Sequence, residues 1–321
     1  MTVAGKFRDP YPGGKRFAFS IVDDTDCGTV STLEPVYGLL RELGMRTTKT
    51  VWVRRSSMPD QFDVNSQTLE ASDYLEFVRS LRDDGFEIAM HTAAPGSSLR
   101  AETIAAYDRF RDLFGADPAM NVNHSMNREN VYWGRHRLDG ALARLLYDRT
   151  AGRYVFEGHV EDSPFFWGDV CRARTRYVRG FIMRGIDALR VNPSMPYHDP
   201  RRPYVPFWYS ACDGEDVDQF TELISDEAQD RLERDGGCCL VYTHLGKRFG
   251  DDVRREGEWQ RRMRRLAQRR GWFAPASDIL DFLLSRRRDT VIPRGERRAL
   301  ERRWMLERLM KRWMRAKGRR R

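Results

Sequence analysis

Short apolar runs alternate with amphipathic stretches along most of the chain. The residues Phe17 to Val22 form a β-rich run, and the apolar positions Val36, Leu39, Leu40 and Leu43 recur at helical spacing soon after it. Ser31 and Glu34 have the spacing of a capping box ahead of Pro35, which predicts a helix near 32–43. The β-branched TTKTVWV (47–53), FEIAMH (86–91), AMNVNH (119–124), YVRGFIM (177–183), PYVPFWYSA (203–211, interrupted by Pro206) and CCLVYTH (238–244) read as further strands. Helical patterns fall near 70–83, ending at Gly85, and near 100–114, 138–147, 258–269 and 278–287. Residues 125–175 include a loop rich in Gly and aromatics, EGHVEDSPFFWGD, whose strand content the pattern leaves open.

Strands alternating with helices imply a parallel sheet. Seven or eight β-plus-α units in residues 1–285 match a (β/α) barrel in size and order, and a doubly wound open sheet is the rival. A length of 321 residues suits one such domain or two smaller ones.

Composition sharpens this picture at one end only. From Arg286 to Arg321 there are sixteen Lys or Arg against four Asp or Glu, a surplus of twelve that turns the overall charge of +9 into −3 for residues 1–285. Within this tail Leu300, Trp304, Leu306, Leu309, Met310 and Trp313 lie at helical intervals among the cations. Segment 294–321 therefore reads as a basic amphipathic helix, suited to an anionic membrane surface. Nucleic acid would attract the same charge, though no specific nucleic-acid partner is expected, and a helix docked on the barrel with a frayed Arg-rich end is equally open. No run approaches 18 uninterrupted apolar residues, and the polar start MTVAGKFRDPYPGGKR has no secretory apolar centre, so the expectation is a cytoplasmic protein, peripheral at the inner membrane face if the tail is an anchor. Five cysteines without a CxxC spacing argue against a disulfide framework or a zinc ribbon.

Candidate chemistry gathers at strand ends. The first strand runs into Asp23, Asp24 and Asp26; FEIAM ends in His91, AMNVN in His124 and CCLVYT in His244. Carboxylates this close raise one another's pKa unless a cation or hydrogen bonds offset them, so a metal or a polar substrate group is a plausible partner; a solvated acidic turn is the plain alternative. In barrels and open parallel sheets the C-terminal strand edge is where active sites assemble. Neutral imidazoles with one carboxylate bind a divalent cation, zinc first, with iron, cobalt or nickel also suited. The chemistry that fits is metal-assisted hydrolysis. Near the same rim, Asp26 would bind substrate hydroxyls or the cation, and Asn127 and Arg128 would hydrogen-bond sugar or carboxylate groups. Trp208 would stack on a sugar face, with core packing as its plain alternative.

The strand ending in DD, then GFEIAMHT, a late strand ending in TH and finally GWFAPASDILDFL resemble the NodB-type polysaccharide deacetylases over roughly residues 16–285. The resemblance implies a (β/α) barrel that removes acetyl groups from glycans with a divalent metal. It implies Asp23 as general base, Asp24 and His91 as metal ligands and His244 as general acid. Two family features are missing: in HTAAPGSS, Pro95 stands where a second histidine of H-T-x-x-H belongs, and no Arg-x-Pro-Tyr segment follows the next strand, where NHSMNREN lies instead. His124 would restore a two-histidine, one-carboxylate set from a neighbouring strand. The expected substrate is an acetylated sugar or glycan precursor, N- or O-acetylated. Two rivals remain: a barrel that has lost the chemistry and serves as a sugar-binding or assembly component at a membrane, and a glycosidase with two carboxylates across a sugar.

Overall fold

A computed structural model describes residues 10–59, 65–151 and 154–318. In chain order the elements are β1 (Phe17–Asp23), α1 (Val30–Glu42), β2 (Thr48–Val51), α2 (Ser72–Asp83), β3 (Glu87–Met90), α3 (Arg100–Phe114) and β4 (Met120–Asn121). They continue with α4 (Ala141–Ala151), α5 (Gly168–Arg174), β5 (Tyr177–Met183), α6 (Ala188–Val191), β6 (Phe207–Asp213), α7 (Val217–Leu223) and α8 (Asp226–Asp235). The chain then forms β7 (Cys238–Thr243), α9 (Phe249–Arg254), α10 (Glu258–Ala267), β8 (Gly271–Phe273), α11 (Ala276–Ser285) and α12 (Arg294–Gly318).

All sheet pairings are parallel, and β1 through β7 close on themselves through β1–β2, giving a seven-stranded barrel rather than an open sheet. One edge of β1 has two partners: Phe17–Phe19 pairs with β8 at the base, and Val22–Asp23 pairs with the short β2 at the top. Every residue of β1 is buried, as expected of a strand with side chains on one face and helices on the other.

Several boundaries differ from the sequence reading. Helix α1 begins two residues earlier, because Thr29 and Thr32 form the reciprocal cap: the Thr29 hydroxyl accepts from Thr32 N at 3.3 Å and the Thr32 hydroxyl from Thr29 N at 3.0 Å. Ser31 and Glu34 thus lie inside the helix. Pro206 precedes β6 instead of interrupting it, and β4 contracts to a two-residue ladder.

The basic tail is a helix, and its first half is docked. Leu300, Trp304 and Met305 are buried, with Trp304 5.8 Å from the Tyr147 ring and 5.6 Å from Phe181. Arg297 of α12 pairs with Asp199 and Glu301, and Lys311 bridges Asp213 at 3.1 Å and Glu215 at 3.0 Å beside the end of β6. Apolar side chains an anchor would use are therefore taken into the barrel, while Leu306, Leu309, Met310 and Trp313 stay exposed. Among the described residues no helix is long and apolar enough to cross a membrane.

Candidate metal centre at the barrel mouth

Three strand ends and one turn carry the site. Asp24 and Asp26 follow β1, His91 follows β3, His124 lies three residues beyond β4, and His244 follows β7. All five are buried, at 1–6% exposure. Charged groups in such positions need partners. One oxygen of Asp26 stands 3.2 Å from His124 Nε2; the other lies 3.3 Å from His91 Nε2 and 3.7 Å from His244 Nε2. The His91 and His124 rings are 4.9 Å apart, both against Trp52.

Three of these segments turn sharply. Cys27, Thr92 and Ser125, the residues directly after Asp26, His91 and His124, have φ of 58°, 57° and 34°. Positive φ is uncommon outside glycine and a genuine outlier for β-branched Thr92, and such conformations persist where surrounding structure over-determines them. Gly246 lets the loop after β7 meet the loop after β1, since a Cβ there would lie 2.3 Å from the Cys27 carbonyl oxygen.

Hydrogen bonds set which imidazole atoms face the centre. Nδ1 of His124 is 2.9 Å from the carbonyl oxygen of Pro95, and Nδ1 of His244 is 2.8 Å from that of Glu215. A carbonyl only accepts, so both Nδ1 atoms carry hydrogen, and in the neutral rings Nε2 presents its lone pair to the cluster. Pro95 thus supplies a carbonyl that aims His124 from the place where the resemblance calls for a histidine.

The carboxylates divide into distinct environments. Asp23 accepts from Lys49 Nζ at 2.8 Å, Tyr37 hydroxyl at 2.9 Å and Leu245 N at 2.8 Å, so both its oxygens are engaged. Asp24 takes a bidentate pair from Arg179 of β5, at 2.8 and 2.5 Å, and its Oδ2 is 3.9 Å from His91 Nε2. Burial raises the Asp24 pKa, but Arg179 and then His91 outweigh it and hold the group below the usual carboxylate range. For Asp26 burial is again opposed, by the His124 and His91 imidazoles beside it, and the net result lies well below that range. Burial pulls the His91 pKa down, which favours the neutral, ligating imidazole.

The donor set fits a divalent cation. Asp26, His91 and His124 place one ligand atom each within 4.8 Å of one another, as do Asp24, Asp26 and His244. Asp26 Oδ2 and both ring nitrogens of His91 are buried without a hydrogen-bond partner. Buried polar atoms are rarely orphaned, so these point to a missing binding partner.

The other sequence candidates lie apart from this cluster. Asn127 donates to the Ala94 and Gly96 carbonyls at 3.3 and 3.0 Å and to Glu129 at 3.1 Å, pinning the loop after β3. Arg128 pairs with Glu157 at the surface and lies over Phe165. Trp208 is 3% exposed at the start of β6, the end away from the mouth, packed near Tyr132. Sequence reasoning passed over Arg179, Lys49 and Glu129. The first two carried a signal, a lone cation inside an apolar strand run, which must be paired if buried.

No protein-family model matches the sequence, and no curated protein matches it significantly. Solved structures do match. A protein assigned as a polysaccharide deacetylase from Mycobacterium smegmatis is similar with a TM-score of 0.51 at 14% identity, covering 88% of this chain and 96% of that one. PuuE allantoinase is similar with a TM-score of 0.51 at 13% identity, covering 88% and 95%. A chitin deacetylase from the fungal pathogen Colletotrichum lindemuthianum reaches a TM-score of 0.43 at 11% identity, over 83% and 88%. At these identities the likeness is one of fold, and the chain has the barrel fold of the NodB-type deacetylases in a divergent form.

Proposed function

We propose that this protein is a metal-dependent hydrolase that removes acetyl groups from a carbohydrate. The observation that carries the reading is the convergence of Asp26, His91 and His124 at one rim of a closed parallel barrel, with Asp26 Oδ2 and the His91 nitrogens lacking any other partner. A divalent cation held by these three residues would polarise the acetyl carbonyl and acidify a water molecule. Asp26 takes the carboxylate ligand role that the family resemblance gave to Asp24, because it meets both histidines within 3.3 Å.

Asp24 accepts the water proton. Its pairing with Arg179 keeps it ionised and fixes its plane beside His91. The resemblance gives this role to Asp23, yet its oxygens face Tyr37, Lys49 and the Leu245 N–H, and among the described residues no histidine comes within 4.0 Å of it, whereas Asp24 reaches His91; we assign Asp23 to holding β1, β2 and the loop after β7 together. His244, as the doubly protonated imidazolium, would donate its Nε2 proton to the leaving amine or hydroxyl and return to the neutral ring, with Nδ1 kept protonated and oriented by the Glu215 carbonyl.

Elemental analysis of purified protein, run alongside acetate release from a panel of N- and O-acetylated sugars, tests the reading. The expected result is about one equivalent of divalent metal, lost in the His91→Ala/His124→Ala double variant together with acetate release. Sugar binding without acetate release at full metal content would favour a non-catalytic sugar-binding barrel, and turnover of allantoin alone would transfer the site to amide-ring hydrolysis.

A further inference from the structure

Helix α12 and the rim of the barrel enclose an open cleft of about 1110 Å³, a volume suited to a saccharide of one or more units. Its wall includes Tyr242, whose hydroxyl lies 3.4 Å from His244 Nε2 and whose ring lies under the Arg179 guanidinium at 4.5 Å. The cleft and the metal centre therefore share a wall.

Charge in the cleft is uneven. Arg137, Arg184, Arg308, Lys311 and Arg312 line it, against Asp213, Glu215 and Glu307. The carboxylates already have cationic partners: Lys311 bridges Asp213 and Glu215, and Glu307 accepts from Arg303 at 2.9 Å and from the Arg184 backbone N–H at 2.8 Å.

Arg137 is the anomaly. It is 7% exposed, its guanidinium stacks 3.8 Å from Trp133 and 4.4 Å from Trp304, and it donates to the Gly180 carbonyl at 3.0 Å. Among the described residues no carboxylate pairs with it, whereas the buried guanidiniums of Arg179, Arg202 and Arg297 each meet at least one. Its Nε and that of Arg308 are buried without hydrogen-bond partners. Burial, opposed by Tyr147 but reinforced by the like charges of Arg308, Arg179 and Arg297, pulls the Arg137 pKa down to about 10. A buried cation with no carboxylate partner is costly unless an anion joins it.

We propose that this cleft binds an anionic sugar, with Arg137 and Arg308 as the counter-ions for its carboxylate or phosphate and the acetylated part of the substrate reaching past Tyr242 toward the metal centre. The acetyl placement rests on the deacetylase reading; the charge preference stands without it.

Calorimetry on the full chain tests the preference with matched probes. One pair is a tetrasaccharide of alternating glucuronate and N-acetylglucosamine and its carboxyl-reduced form; the other is N-acetylglucosamine 1-phosphate and N-acetylglucosamine. At least one acidic probe should bind about tenfold or more tighter than its neutral partner, the margin expected of charge-assisted hydrogen bonds, and raised salt should shrink the margin. Which pair shows it separates a uronate from a sugar phosphate. Arg137→Met should abolish the margin, and Arg308→Gln, at a half-buried position that does not brace Gly180, should reduce it if the first variant fails to fold. Equal affinity within both pairs, absence of binding by all four probes, or a margin untouched in Arg308→Gln overturns the proposal. Acetate release measured on the same probes keeps the two readings apart: a charge preference without turnover removes the deacetylase reading alone, and turnover without a charge preference removes this one alone.

Discussion

The foot of α12 buries Asp199, Arg202, Arg297 and Glu301, and the barrel mouth buries Asp24, Asp26, His91, His124 and His244. At the foot, each carboxylate meets its complement. Arg297 reaches Asp199 at 3.1 Å and Glu301 at 3.2 Å, Arg202 reaches Asp199 at 2.5 Å and Asp139 at 3.0 Å, and both Glu301 oxygens accept from the Asp139 backbone N–H. At the mouth only Asp24 has an arginine, while Asp26 faces imidazoles, of which burial keeps His91 from charging readily. The foot sets a guanidinium beside every carboxylate, whereas the mouth leaves Asp26 among imidazoles alone. That difference, rather than the number of charged residues, separates the two.

Substitutions should widen the contrast. The largest effect is expected for Asp26→Asn, which removes the carboxylate shared by both histidines: metal content should fall and acetate release drop about 10³-fold or more, since the lost Lewis-acid contribution is worth several kcal/mol, while the unfolding midpoint in denaturant stays near wild type. A midpoint collapse with intact metal would make Asp26 a structural residue. Arg297→Met should do the reverse, costing roughly 3 kcal/mol in denaturant unfolding because it leaves buried Asp199 and Glu301 underpaired, with metal content unchanged.

Glu129 gives a pH-dependent intermediate case. Burial, only partly offset by hydrogen bonds including that from Asn127, raises its pKa to about 7, so the folded state favours the protonated acid. Its contribution is full below the unfolded carboxyl pKa of about 4.3, declines as pH rises and is lost above about 7. Glu129→Gln should therefore gain on wild type by about 3 kcal/mol between pH 4 and pH 8 in paired unfolding titrations; a constant difference would show that Glu129 stays ionised. The smallest effect is expected for Arg128→Ala, which breaks a surface pair with Glu157 and should cost less than about 1 kcal/mol. A larger loss in thermal unfolding would mean that its stacking on Phe165 matters more than its charge.

The sequence made much of this legible for identifiable reasons. FAFSIV, FEIAM and CCLVYT became β1, β3 and β7 because central strands of a parallel barrel are apolar on both faces. The three-residue β8 is too short to show a period, and α8 shows little apolar patterning because it buries only Ala228, Gln229 and Leu232. Strand ends located the mouth. Which carboxylate meets which imidazole was not legible, since that depends on the turn at Cys27 and on a Pro95 carbonyl that any residue could supply. Arg179 and Lys49 could have been caught: a cation in the middle of YVRGFIM or TTKTVWV has to find an anion once those strands close.

Glu215 faces two ways. Its carboxylate is tied to Lys311 on α12 and its carbonyl fixes the His244 ring. Residue 311 follows every barrel strand in the chain, so a polypeptide cut before it would keep all of the strands yet lose the brace beside His244. One residue thus ties the far end of the chain to the carbonyl that aims this imidazole.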